Sequence, residues 1–220
     1  MSGSTEGTKR AVGFVLAGGE SRRMGRDKAL LPFCGRPLVQ NALGILREAG
    51  LEPRIAGART ALEEFAPVVA DAEPGLGPLG GVCAALEASG AERTVFLPVD
   101  LPLLPASLVA FLLFRAEITG CAVTVPAAGG FAQTFPAVLD RAVLPVLEAE
   151  LKVGRRGCFA AFKAAAAGLG QAVAVVPAEL LAQSGHAAHL AGLPAALWFA
   201  NANTPADLRR AEAHLGRRFA

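Results

Sequence analysis

Ala11-Val12-Gly13-Phe14-Val15-Leu16-Ala17-Gly18-Gly19-Glu20-Ser21-Arg22-Arg23-Met24-Gly25-Arg26-Asp27-Lys28 is the stretch on which the fold turns. Residues 11–16 are an apolar run that ends toward a glycine pair, the pattern of a strand buried on both faces and stopped by a turn. Further out, Pro37 opens a segment with apolar residues at Leu38, Ala42, Leu43, Ile45, Leu46 and Ala49, closed by Gly50. That spacing predicts a helix with proline first and glycine last. A strand followed by a helix is the first half of a crossover.

The alternation continues. Strands are expected at Arg54 to Ala58, Val68 to Ala70, Thr94 to Val99 and Ala122 to Pro126, with helix-like segments near Thr60, Pro78 and Pro105. Alternating strands and helices imply an α/β fold, here a single-domain, Rossmann-like, mostly parallel sheet with helices on both faces. Right-handed crossovers then bring the loops after the strands to one sheet edge, where ligands bind in open α/β folds. Beyond Phe131 the pattern loosens, with a strand at Phe135 to Leu139 and helices at Ala142 to Leu151 and Cys158 to Ala167. It sharpens again at Thr204-Pro205-Ala206-Asp207, an N-cap, a first-turn proline and a first-turn acid that predict a helix from Pro205 to about Leu215.

A chain of 220 residues, 53% apolar and 18% charged, can bury a sizeable core and suits one domain, expected over residues 11–220 after a disordered start at 1–10. A formal charge of +2 is too small for a nucleic-acid or anionic-membrane partner, so any phosphate affinity is local. The four cysteines, Cys34, Cys83, Cys121 and Cys158, include no Cys-x-x-Cys pair. They read as buried small hydrophobes in a reducing cytoplasm rather than as a zinc site or disulfide scaffold. Lys9 and Arg10 before the first apolar run imitate a secretory signal, but the run is short and charges follow at once. No later apolar stretch is long and uninterrupted enough to span a membrane. His186 and His189 fall in 183–196, a segment expected to be a surface loop rather than a metal site.

The candidate chemistry lies at the expected strand ends. Glycines of the first loop let backbone N–H groups approach phosphate oxygens, and Arg22, Arg23 and Lys28 can neutralise them. The spacing matches neither the Gly-x-x-x-x-Gly-Lys-Ser/Thr loop nor the Gly-x-Gly-x-x-Gly fingerprint. Asp100, directly after the fourth predicted strand, is either a turn residue before Pro102 or a carboxylate for a hard cation. Asp71, between an apolar strand and Gly77-Pro78-Leu79-Gly80-Gly81, could simply be solvated. Asn201 and Asn203 precede the last helix and could simply feed its cap.

Leu16-Ala17-Gly18-Gly19-x-Ser21-x-Arg23-Met24-Gly25-x-Asp27-Lys28-x-Leu30-Leu31-Pro32, with Gly35-x-Pro37-Leu38 after it, resembles the signature of the MobA-like NTP transferase family of nucleotidyltransferases. Gly77 to Gly81, Asp100-Leu101-Pro102 and Asn201-x-Asn203-Thr204-Pro205-x-Asp207-Leu208 are similar to further elements of that family, so the likeness reaches both ends of the chain. Two departures stand out: Ile55-Ala56-Gly57-Ala58 where the family usually has an asparagine, and Phe135-Pro136 where it often has His-Pro.

The resemblance implies transfer of GMP from GTP to the terminal phosphate of molybdopterin or the molybdenum cofactor, with release of pyrophosphate. It implies Mg²⁺ on Asp100, and Lys28 with Arg22 or Arg23 on the phosphates. Leu16, Ala17, Gly18, Gly19, Asp71, Gly77 and Pro78 would lie toward the nucleotide, and Asn201 and Asn203 toward the acceptor. Arg155 and Arg156 are similar to a basic position near the pterin phosphate. Partners would be GTP, the pterin and, transiently, molybdoenzyme maturation proteins. The alternatives are a cytidylyltransferase on molybdopterin, a sugar-phosphate nucleotidyltransferase, and a non-catalytic nucleotide-binding accessory protein.

Overall fold

The computed structural model describes residues 10–17, 27–57, 60–70 and 75–216. In chain order the elements are β1 (Ala11–Leu16), β2 (Pro32–Phe33), β3 (Arg36–Pro37), α1 (Leu38–Glu48), β4 (Pro53–Ala56), β5 (Val68–Val69), α2 (Pro78–Ser89), β6 (Arg93–Pro98), α3 (Ala106–Thr119), β7 (Val123–Ala128), β8 (Phe131–Ala132), β9 (Ala137–Asp140), α4 (Leu144–Lys152), α5 (Cys158–Gly168), β10 (Ala174–Pro177), α6 (Ala178–Gln183), α7 (Ala195–Trp198) and α8 (Pro205–Gly216). The disordered start expected for residues 1–10 lies, except for Arg10, outside the described residues.

One sheet runs β10-β7-β9-β6-β1-β4-β5, with β8 on β7, while β2 and β3 form a separate hairpin. β9 is antiparallel to both β6 and β7, β8 is antiparallel to β7, and the remaining neighbours are parallel. The mostly parallel sheet expected from the sequence is therefore present.

Alternation along the central strands divides the core in two, because successive strand residues point to opposite faces. Val15, Val95 and Leu97 pack with Leu38, Leu43 and Leu46 of α1, Leu108 and Leu112 of α3, and Trp198 of α7. Val12, Phe14 and Phe96 face the other way, onto Leu79, Val82 and Leu86 of α2, Leu147 of α4 and Phe162 of α5. Phe14 and Phe96 stack with ring centroids 6.1 Å apart. Each fully buried side chain of this size stabilises the fold by about 1.5–3 kcal/mol relative to exposure.

The structure differs from the sequence expectation in several places. The helix-like segment expected near Thr60 is only a single 3-10 turn, Thr60–Leu62. Pro37 is both the last residue of β3 and the N-cap of α1, one position ahead of the place at the head of the helix expected for it. The Phe135 to Leu139 strand is shifted to Ala137–Asp140 and is antiparallel. β10 was hidden in an alanine-rich apolar stretch, Ala164 to Val176, that merges the end of α5 with a strand and shows no period of its own. Segment 183–196 is more than a surface loop: Ala187, Leu193 and Ala195 are buried, and the Trp198 indole just beyond donates to the Leu193 carbonyl at 2.9 Å.

The cysteines are not uniformly buried either. Cys34 is exposed at the β2–β3 turn, Cys83 is buried, and Cys121 and Cys158 are half-buried. Burial pushes the Cys83 thiol up to about 12 and Cys158 up to about 11, so neither forms a thiolate readily at neutral pH.

The strand order places the site. After β1 the chain moves to β4 and β5 on one side, then returns through α2 to β6 on the other side of β1. α1 covers one face and α2 the opposite face. The reversal between β1 and β6 is a topological switch point, and the crevice beyond the carboxyl ends of these strands is the ligand site of open α/β sheets.

Candidate active site

Leu16, Ala56 and Pro98 are register partners at the ends of β1, β4 and β6. Beyond them the backbone stays paired for one more step: Ala17 N–H donates to the Ala56 carbonyl at 3.1 Å, and Val99 N–H to the Leu16 carbonyl at 3.2 Å. Ala17 and Asp100 therefore leave the sheet side by side. Gly18, Gly19, Arg22 and Arg23, called as phosphate ligands, lie outside the described residues, as does Asp71.

Asp27 and Lys28 mark where the first loop is again described. The Asp27 carboxylate accepts from the Ala29 N–H at 3.0 Å and caps a single 3-10 turn, Lys28–Leu30. This turn directs the Lys28 stem back toward the sheet edge. Its ammonium donates to Oδ2 of Asp100 at 2.9 Å and to Oδ1 of Asn203 at 2.5 Å. Lys28 and Asp100 are 17% and 25% exposed, shielded enough to interact yet open to a ligand.

Asn203 is brought there by the segment entering α8. Ala202 N–H donates to the backbone carbonyl of Asp100 at 2.9 Å, which lays 201–203 alongside the β6 turn. Asn41 of α1 donates its amide to the Pro102 carbonyl at 3.1 Å and anchors the same turn from below. The expected cap of α8 is present as a reciprocal pair: Thr204 N–H and hydroxyl donate to Asp207, and Asp207 N–H donates to the Thr204 hydroxyl at 3.1 Å. These bonds, the Thr204 hydroxyl foremost, hold the Asp207 carboxyl below the usual aspartate range. Asn201 is exposed next to the buried Ala202.

The other flank is built by α2. Gly77 has φ 72°, a left-handed conformation that favours glycine, and feeds Pro78 at the start of the helix. The Arg156 guanidinium donates to the Gly75 carbonyl at 2.7 Å, fastening the α4–α5 turn to this loop, whereas Arg155 pairs with Glu150 at 3.1 Å. Of the two arginines singled out in the sequence, Arg156 thus adjoins the loop before α2. Phe135, at the His-Pro position, sits edge-on to Phe162 with centroids 5.9 Å apart. His186 bonds Ser184 at 2.8 Å and His189 accepts from Ala191 N–H at 3.1 Å, so both imidazoles are engaged within their own segment.

The donor set suits Mg²⁺. Among the described residues no three carboxylate, thiol or imidazole side chains converge. Mg²⁺ does not need such a cage, since it is usually held by one or two carboxylates together with substrate phosphates and water. One oxygen of Asp100 is used by Lys28, and the other carries no hydrogen bond to a described residue.

Lys28, which follows a glycine-rich stretch of the sequence, meets the Asp100 carboxylate at the switch point of a mostly parallel sheet, an arrangement that suits a nucleotidyltransferase. Residues 13–167 match the family described as MobA-like NTP transferase domain, and the chain belongs to that family. A molybdenum cofactor guanylyltransferase of Rhodobacter capsulatus is 34% identical over 220 residues, covering 94% of this chain and 97% of its own. One from Xanthomonas euvesicatoria pv. vesicatoria is 47% identical over 107 residues; that match spans 48% of this chain and about half, 55%, of the relative. Among solved structures, molybdopterin-guanine dinucleotide biosynthesis protein A of Archaeoglobus fulgidus shares the fold, with a TM-score of 0.73 at 22% identity, covering 94% of this chain and 99% of that one.

Proposed function

We propose that this protein transfers GMP from GTP to the terminal phosphate of molybdopterin or its metal-bound form, releasing pyrophosphate, and that the reaction depends on Mg²⁺. The observation that carries this reading is the meeting of Lys28, Asp100 and Asn203 at the strand ends. Relatives matching most of the chain bear the name molybdenum cofactor guanylyltransferase, which supports the choice of nucleotide and acceptor.

The acceptor phosphate attacks the α-phosphorus and the bond to the β-phosphate oxygen breaks, so no protein nucleophile is required. Asp100 would hold Mg²⁺, which when bound neutralises charge on the phosphates. The chain's own work is positioning and neutralisation. Lys28 and one of Arg22 or Arg23 would meet the α- to γ-phosphate oxygens. Leu16, Ala17, Gly18 and Gly19 would receive the nucleotide through their backbone, flanked by Asp71, Gly77 and Pro78. Asn201 and Asn203 would face the acceptor. Docking to molybdoenzyme maturation proteins would follow product formation, in the cytoplasm.

Purified protein given molybdopterin, Mg²⁺ and each of GTP, CTP, ATP and UTP in turn should yield a pterin dinucleotide with GTP. Equal or faster product formation with CTP would replace guanylyl by cytidylyl transfer, and no product with any nucleotide would remove the enzymatic reading.

A further inference from the structure

The Lys28 ammonium sits on a flexible four-carbon stem, and such a group acts in catalysis only if something fixes it. It has three N–H donors. Two are taken, by Asp100 Oδ2 at 2.9 Å and Asn203 Oδ1 at 2.5 Å, and the third has no partner among the described residues. Two fixed bonds aim the third. Of the two holders, Asp100 is also the carboxylate assigned to the metal, so its charge is divided once a cation arrives. The amide of Asn203 is neutral and keeps its acceptor oxygen whatever the charge nearby.

Asn203 lies in a short segment that belongs to no helix or strand, and its own position needs an account. On one side, Ala202 N–H is bonded to the Asp100 carbonyl. On the other, a single oxygen of Asp207, Oδ2, accepts from Asn203 N–H at 3.2 Å, Thr204 N–H at 2.9 Å and the Thr204 hydroxyl at 2.8 Å. A helix cap alone is satisfied by the bonds to and from Thr204. The extra bond to Asn203 N–H reaches past the cap to the residue that touches Lys28.

We propose that Asp207 is a positioning residue for Lys28: its carboxylate fixes the backbone of Asn203, whose amide oxygen holds the ammonium beside Asp100. The assignment rests on the role given to Lys28 above, and the experiment separates the two.

Two readouts are compared in the full chain. In nucleotide-free protein, acetylation of each lysine by acetic anhydride is followed by mass spectrometry, with Lys152 as internal reference. Asp207→Ala should raise the labelling rate of Lys28 at least about threefold and leave Lys152 unchanged. Asn203→Ala, which leaves the helix cap intact, should do the same, while Asp207→Asn, which keeps an acceptor oxygen, should restore slow labelling. In turnover with GTP, Asp207→Ala should lower kcat about 10- to 100-fold with a much smaller change in KM. That loss should vanish when the substitution is made in Lys28→Ala, whereas its effect on Tm should be the same in both backgrounds. Unchanged Lys28 labelling in either Asp207→Ala or Asn203→Ala, or an equal proportional loss of kcat with and without Lys28, overturns the positioning role. Wild-type turnover in Lys28→Ala overturns instead the catalytic role of Lys28, and the labelling result then stands on its own.

Discussion

Asp100 follows β6 by two residues, and its two oxygens are in different circumstances: Lys28 occupies one, while the other makes no hydrogen bond to a described residue. A turn aspartate before prolines would look similar from the sequence. The two roles separate under Asp100→Asn, which keeps the shape and an acceptor for Lys28 but removes the negative charge. If the residue only shapes a turn, stability should change by no more than about 1 kcal/mol and turnover should survive. If the carboxylate binds Mg²⁺, the fold should persist while the metal concentration for half-maximal rate rises at least about tenfold or no rate is seen. Titrating Mg²⁺ and Mn²⁺ against both proteins decides it, and superimposable titrations would leave Asp71 as the next carboxylate to test. The residues of this site were legible in the sequence one by one. Their contact was not, because Lys28 is separated by 72 positions from Asp100 and by 175 from Asn203.

At the scale of elements, α2 shows how a loop is shaped by the helix that follows it. A Cβ placed on Gly80 would lie 2.6 Å from Cβ of Leu76, in the loop between Gly75 and Gly77. Helix propensity alone favours Gly80→Ala by about 0.8–1.0 kcal/mol. The close approach opposes it, and overpacking of this kind costs about 1–3 kcal/mol. We expect Gly80→Ala to lower the urea midpoint and to weaken nucleotide binding, since the displaced loop carries Gly77 and the Arg156 contact. A raised midpoint with unchanged binding would show that the loop gives way freely. The sequence announced α1 to α5 and α8 through periodicity, capping residues and flanking glycines or prolines. It did not announce β10 or α6, where apolar residues run on without a helical or strand period, nor the packing of Ala187 and Leu193 into the core.

For the whole molecule, a ligand that binds only the native state stabilises it in proportion to ln(1 + L/Kd), where L is the free ligand concentration, so at equal concentration the tighter ligand raises Tm more. GTP with Mg²⁺ should therefore raise Tm more than CTP, ATP or UTP at equal concentration, by differential scanning fluorimetry. A shift with CTP as large as that with GTP would retire the guanine preference, and Gly57, at the family's asparagine position, makes the comparison informative. The fold was legible because a parallel sheet buried on both faces leaves its strands as plain apolar runs. What closes the site is the C-terminal segment. Asn203 reaches Lys28, and Glu212 of α8 accepts from the Cys34 N–H at 2.7 Å, across 178 positions. Synthesis therefore lays down Lys28 and Cys34 long before Asn203 and Glu212, the residues that clasp them. Domains whose decisive contacts are so distant in sequence fold late in synthesis. The Lys28–Asn203 contact therefore cannot form until residue 203 has been made and has left the ribosome, and a chain truncated before Asn201 should retain β1 to β9 yet lose turnover with GTP.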